Sequence, residues 1–531
     1  MKVTRVDAQA KAARRIIARL LEAKPTRQEV QRIKAQVARE LKLSRLPSNA
    51  ELLSHASEAE RRILLPLLKR KPVRTLSGIA VVAVMAKPAP CPGECIYCPR
   101  GEDAPQSYTG YEPAALRARA SNYDAFAQVY SRLEQLSAIG HSVAKVELIV
   151  MGGTFPALPR EYRQEFVKDC LDAMNSFPGE RVRSASLEEA ARKNETALVR
   201  NVGITFETRP DFCRAKHVDE MLGLGVTRVE LGVQTLSDEV YRRVRRGHSV
   251  EDVIEATRVL KDAGIKVGYH MMPGLFSSFE EDLEMFRELF ANPSFRPDTL
   301  KIYPTLVVAG TELYEMWRRG EFKPYSDEEA AQLIAEVKRL LPRWVRTMRI
   351  QRDIPAQLIV AGVKHGNLAE MVQRRLRKMG ARCSCIRCRD AGHLAYKEGV
   401  EIREENLSLE VESYEASLGE EHFLSIVDKE CDALVAYLRL RFPSERAHRS
   451  EVRGSAIVRE LRVLGEALPL GRRASRAEQH RGHGSRLLER AEELAREAGF
   501  RRVLVTSAIG TREYYRRRGY FRLGPYMAKE L

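Results

Sequence analysis

Six short apolar runs, rich in β-branched residues and separated by helical stretches, begin at Ile79: IAVVAVMA at 79, VELIVMGG at 146, VGITFETRP at 202, VTRVELGVQ at 226, IKVGYHMMPG at 265 and TLKIYPT at 299. Strands alternating with helices build parallel sheets, because a parallel neighbour is reached only through a long crossover. Six such units predict an α/β fold, a partial (β/α)6 barrel. Chemistry in such barrels gathers at the carboxyl ends of the strands, so the residues just after each run are the candidates. The chain of 531 residues is too long for one core. Residues 1–75 carry apolar positions at helical spacing (Val30, Ile33, Val37, Leu41) and form a basic helical module. Residues 76–340 form the barrel, 341–407 a helical connector with cysteines, and 408–531 a separate mixed α/β domain.

The net charge is +17. The first 75 residues hold 19 Lys and Arg against 7 Asp and Glu, so +12 of that excess sits in the helical module. Such a concentration suits a polyanion, and nucleic acid is the expected partner. The longest apolar run, Ile79 to Ala86, falls far short of the roughly 20 residues of a membrane helix. No cleavable signal pattern opens the chain. The expectation is a cytoplasmic protein with no membrane partner.

Two tight cysteine clusters suit metal ligation better than disulfide bonding in a reducing compartment. Cys91, Cys95 and Cys98 form C-x3-C-x2-C in a Pro/Gly-rich loop after the first strand. Three thiolates can hold three irons of a [4Fe-4S] cluster and leave the fourth open, whereas structural zinc normally takes four protein ligands. An open iron is what reductive cleavage of S-adenosylmethionine requires, with an electron donor that the sequence does not identify. This spacing, at this place in a partial barrel, resembles the radical SAM superfamily over about residues 76–340. The resemblance implies that Gly152, Gly153 and Thr154 present backbone to the methionine amino group. Glu207 and Arg209 close the third strand and Gln234 the fourth, so they face the same mouth, either contacting nucleoside or substrate or fixing a loop. Tyr269 and His270 have the same two readings.

A second constellation is Gln479, Gly482, His483, Gly484 and Ser485, ahead of a helix with Leu487, Leu488, Ala491, Leu494, Ala495 and Ala498 on one face. Small residues at a helix start let backbone N–H groups and the helix dipole cradle a pyrophosphate. With the preceding strand, and with Tyr514 and Tyr515 downstream, the region resembles GNAT-type acetyltransferases over about 408–531. That likeness implies acetyl-CoA as cofactor, backbone of Glu460, Leu461, Arg462 and Val463 along the pantetheine arm, and a tyrosine near the thioester, best matched by Tyr515.

The two regions in one chain, with SYTGYEP at 107, KVELIVMGGTF at 145, ELGVQT at 230, GYHMMPG at 268, GTREYYRRRGY at 510 and GPYM at 524, resemble the family of Elongator catalytic subunits in its archaeal or bacterial stand-alone form. The resemblance implies an acyltransferase that forms carboxymethyluridine at the wobble position of tRNA, bound through its anticodon stem-loop, from acetyl-CoA and S-adenosylmethionine. On this reading a 5′-deoxyadenosyl radical takes hydrogen from the acetyl methyl, the carbon radical adds to uracil carbon 5, and thioester hydrolysis leaves the carboxymethyl group. The family also ties a lysine at the position of Lys145 to acetyl-CoA, although Lys145 begins the second strand, at the end opposite the cysteines. The alternative function is a protein lysine acetyltransferase with a structural iron–sulfur cluster.

Cys383, Cys385 and Cys388 form C-x-C-x2-C, a spacing for zinc, with His393, His365 and His422 as rival fourth ligands. A second iron–sulfur cluster and three free thiols are the other readings. Arg472, Arg473 and Arg476 stand before the glycine loop, where they steer RNA, occupy the acetyl-CoA pocket until RNA arrives, or lie solvated. The sequence admits a homodimer without specifying one.

Overall fold

The computed structural model describes residues 2–43, 45–69, 75–465 and 482–531. Four helices, Lys2–Ala23, Glu29–Glu40, Asn49–His55 and Glu58–Leu68, open the chain. Their apolar stripes (Ile16, Ile17, Leu20, Val37, Leu52, Leu64) close a small core of their own. Ser48 with Glu51 and Ser57 with Glu60 form capping boxes that start the third and fourth helices.

Eight strands of the barrel region follow: β1 (Ile79–Met85), β2 (Lys145–Met151), β3 (Arg200–Thr208), β4 (Arg228–Gln234), β5 (Lys266–Met271), β6 (Thr299–Ile302), β7 (Val307–Val308) and β8 (Arg346–Arg349). The sheet order is β1-β2-β3-β4-β5-β6-β8, with every neighbouring pair parallel. The six expected strands are present, and β8 adds a seventh from inside the 341–407 segment. RTMR carries two charges in four residues and no apolar run, so hydropathy gave no sign of it. Strand β7 pairs instead with β9 (Ile359–Ala361). No helix among the described residues is long and apolar enough to cross a membrane.

A second seven-stranded sheet holds β10 (Leu407–Ala416), β11 (Gly419–Asp428), β12 (Ala433–Phe442), β13 (Ser455–Val463), β14 (Arg502–Val505), β15 (Phe521–Leu523) and β16 (Tyr526–Glu530), in the order β10-β11-β12-β13-β14-β16-β15. It is antiparallel except at β13–β14. One apolar core runs from Val82 and Leu148 in the barrel to Phe423, Tyr437, Ile457 and Tyr526 in this sheet.

The second sheet covers the amino ends of the barrel strands. Arg459 donates to both oxygens of Asp298, at 2.6 and 2.8 Å, just before β6. Arg441 donates to Asp262 at 2.6 Å, and Glu421 accepts from both arginines. Arg439 reaches the carbonyl of Trp344 at 2.7 Å. These charged side chains are fully buried, and each guanidinium meets several acceptors, as burial of charge demands.

Candidate active site

The cysteine loop lies at the opposite, carboxyl end of the barrel. It is pinned by backbone bonds from Ile96 N–H to the Val244 carbonyl and from Leu313 N–H to the Ile96 carbonyl. Cys95 is buried, and Cys91 and Cys98 are partly open to a cavity of about 1570 Å³. Arg246 donates to Cys95 Sγ at 3.4 Å and to the Gly232 carbonyl at 2.5 Å. Cys98, and then Arg246 against the opposing cost of burial, hold the Cys95 thiol down at about 5. Gly152 and Gly153 have φ of +127° and +73°, and Thr154 Oγ1 lies 3.7 Å from Cys91 Sγ. The second strand thus ends in contact with the cysteine loop.

Two observations test whether this mouth fits a cluster with a bound amino-acid nucleoside. Among the described residues, single-ion groups with all ligand atoms within 4.8 Å are Cys383–Cys385–Cys388 and Glu207–Glu230–His270. Cys91, Cys95 and Cys98 do not close into such a single-ion group, although Cys95 and Cys98 touch, and three thiols on one loop match the three protein ligands of a cluster that leaves one iron open. Buried polar atoms without a partner also gather here: Thr208 Oγ1, Gln234 Oε1, Arg246 Nε and a terminal nitrogen of Arg209. A polar ligand would satisfy them. The residues fit.

The other candidates separate. Arg209 is clamped by Asp211 and the Gly247 carbonyl. Tyr269 is fully buried, and its hydroxyl pairs with Thr257, so it fixes the core. Glu207 joins a polar group that sequence inspection missed: Tyr108 donates to it at 3.0 Å, and Lys301 donates at 3.0 Å while also pairing with Glu230. Glu230, Lys301 and Glu147 are charges inside apolar strand runs, and that misfit was the available signal.

On β13 the alternation of a strand sends neighbouring side chains to opposite faces. Glu460 bonds Arg439 at 3.0 Å, and Arg462 bonds Glu147 of β2 at 2.9 Å, both at the domain interface. Leu461 and Val463 face Gly484. The β13–β14 pairing ends at Val458 and Val505, so the last residues of β13 pair only with β12. Gly482, at φ +89°, starts the helix His483–Glu497. The first N–H groups of a helix have no acceptor within it. A Cβ on Gly484 would stand 2.9 Å from the Tyr514 hydroxyl, so a side chain there would displace that ring from the loop. Arg518 donates to Ser485 Oγ at 2.8 Å and covers the Tyr514 ring, which places a cation at the loop. Tyr515 packs instead in the apolar core, 6% exposed and against Tyr520. Tyr514 is the tyrosine at the loop. Gln479, Arg472, Arg473 and Arg476 lie outside the described residues.

Lys145 begins β2, half-buried, two residues before the Glu147 that bonds Arg462. The second sheet therefore packs on the end of the barrel that holds Lys145. Burial, then the charge of Arg200, lowers its pKa.

The sulfurs of Cys383, Cys385 and Cys388 lie together, and none of the three rival histidines joins their group. His365 pairs with Asp327, and His422 bonds Ser413 and packs on Phe442. His393 lines the cavity. The neighbours of the thiols are Lys338 Nζ, 3.5 Å from Cys388, and Thr347 Oγ1, 3.5 Å from Cys385. Cys383 and Cys388 line the same cavity as Cys91, Cys95 and Cys98.

Family models match along most of the chain: the ELP3 N-terminal domain over residues 9–76, the Radical SAM superfamily over 90–290, the Radical SAM C-terminal domain over 297–378 and the acetyltransferase (GNAT) family over 394–520. A tRNA uridine(34) acetyltransferase of Methanocaldococcus jannaschii is 50% identical, covering 99% of each chain. Human Elongator complex protein 3 is 44% identical over 97% of this chain and 96% of its own. The solved structure of Methanocaldococcus infernus Elp3 lacking its N-terminus (1-46) superposes with a TM-score of 0.77 at 49% identity, covering 86% of this chain and 100% of that one. A partial parallel barrel with a three-cysteine mouth, joined to a GNAT sheet, thus accompanies full-length similarity, and the chain belongs to the Elongator complex protein 3 family.

Proposed function

We propose that this protein converts the wobble uridine of tRNA to its 5-carboxymethyl form, using acetyl-CoA and S-adenosylmethionine. The observation that carries the reading is the pairing, in one chain with a shared core, of a cysteine loop at one end of a barrel with a GNAT-type sheet packed on the other. Cys91, Cys95 and Cys98 would hold a [4Fe-4S] cluster, with Gly152, Gly153, Thr154 and Gln234 around the methionine and nucleoside. Reduced by an external donor, such a cluster supplies the one-electron cleavage of S-adenosylmethionine that activates the acetyl methyl. Gly482, His483, Gly484 and Ser485 bind the pyrophosphate of acetyl-CoA, with Arg518 adding positive charge. Leu461 and Val463 line the pantetheine arm, and Tyr514 and Lys145 attend the thioester. Cys383, Cys385 and Cys388 supply three of the four ligands of a zinc ion held within this one loop.

For RNA, the cavity wall offers Arg349, Arg352, Arg377, Arg382, Arg387 and Lys397. Arg27 of the basic module donates to Tyr396 at 3.2 Å, on the helix Ala391–Glu398 that borders this wall. A basic module in contact with the helix that borders a cation-lined cavity suits an anticodon stem-loop. Anaerobic protein with tRNA, acetyl-CoA, S-adenosylmethionine and reductant should yield carboxymethyluridine on nucleoside mass analysis. Acetylated protein lysines with no consumption of S-adenosylmethionine would overturn the reading.

A further inference from the structure

Glu207, Glu230, His270 and Lys301 line the cavity that Cys91, Cys95 and Cys98 also line. The first three place ligand atoms within 4.8 Å of one another, as in a metal site. The cation, however, is already there: Lys301 pairs with both carboxylates. Although burial opposes it, Lys301 keeps Glu230 ionised, well below the usual carboxylate range. An ionised carboxylate only accepts hydrogen bonds. The 3.0 Å contact between Glu230 Oε2 and His270 Nε2 therefore puts the hydrogen on Nε2 and leaves the lone pair on Nδ1. Burial, and then Lys301, lower the imidazole pKa, so the ring is neutral at pH 7. Tyr303 stands edge-on to it, with ring centroids 5.5 Å apart. A buried carboxylate orienting a neutral imidazole is the arrangement of a general base.

The chemistry of the proposed function, on which this inference rests, calls for such a base. When a carbon radical adds to uracil carbon 5, that carbon becomes tetrahedral, bearing its hydrogen and the new CH2 group, with the unpaired electron on carbon 6. To restore the ring, the C5–H bond breaks and the hydrogen leaves as a proton. The bonding pair and the unpaired electron remake the C5–C6 double bond with one electron in excess, which passes to a one-electron acceptor of the oxidised iron–sulfur class. We propose that His270 takes the C5 proton through Nδ1, with Glu230 orienting the ring and Lys301 holding Glu230 ionised.

The test uses the full-length anaerobic enzyme and tRNA tritiated at uridine carbon 5. The wild type should release tritium to water one for one with product. In His270→Gln, 5′-deoxyadenosine should still form and still receive deuterium from trideuteroacetyl-CoA, while tritium release falls about 100-fold. Glu230→Gln should also lower the tritium released per deoxyadenosine formed, and imidazole should restore release to His270→Ala. Wild-type tritium release by His270→Gln would overturn the proposal, as would loss of deoxyadenosine formation in both His270 variants. If the wild type itself moves no deuterium into deoxyadenosine, the function reading fails instead.

Discussion

Gly152 illustrates how a single backbone angle serves the site. Its φ of +127° is open to glycine alone, and an added Cβ would stand 3.2 Å from the Ala86 Cβ. Gly152→Ala should cost about 1–3 kcal/mol. We expect at least tenfold weaker S-adenosylmethionine binding by equilibrium dialysis, with acetyl-CoA binding unchanged. His248 has a role in stability. Neither ring nitrogen has a partner, and burial, followed by the charge of Arg246, holds its pKa down at about 4, against 6.5 for the free group. The unfolded chain therefore takes the proton first. Its contribution is complete above about pH 6.5 and is lost as pH falls toward 4. Urea midpoints should fall across that window, and His248→Phe should flatten the fall.

Strands β4, β6 and β13 each divide their labour by alternation. Glu460 and Arg462 point into the interface, while Leu461 and Val463 point toward the glycine loop. Mutations on the two faces should therefore separate. Glu460→Gln leaves Arg439 and Lys266 short of a partner and should lower the thermal midpoint by several degrees, with acetyl-CoA affinity within about threefold of wild type. Gly484→Val, which drives a side chain into the Tyr514 hydroxyl, should abolish acetyl-CoA binding in calorimetry while the thermal midpoint stays near that of the wild type.

At the scale of the molecule, the interface is what makes two catalytic regions one body. Lys145 and Met151 bound β2, about 20 Å apart along the strand. Ion pairs fill the barrel between the two ends, from Arg462 through Glu147 and Arg228 to Glu230 and Lys301. Removing one member of a buried network strands its partners. Asp298→Ala removes the carboxylate that Arg439, Arg459 and Lys261 share, leaving only Glu460 and Glu421 to answer three buried cations, and should destabilise the protein by about 3–5 kcal/mol. Calorimetry should show both regions melting earlier and together; a shift confined to one would contradict a shared interface.

The barrel strands, the C-x3-C-x2-C loop and the glycine turn before the helix from His483 were legible along the chain, because hydropathy period, ligand spacing and backbone freedom are properties of neighbouring residues. Which tyrosine meets Gly484, which charges answer Glu147, Glu230 and Asp298, and why Lys145 at the far end of β2 lies beside the acetyltransferase sheet depended on segments hundreds of residues apart. A lysine in an apolar strand has the same local sequence whether solvent or a carboxylate awaits it. Only the packing of the second sheet across the barrel decides between them, since burying a charge is tolerable only where that packing delivers its partner.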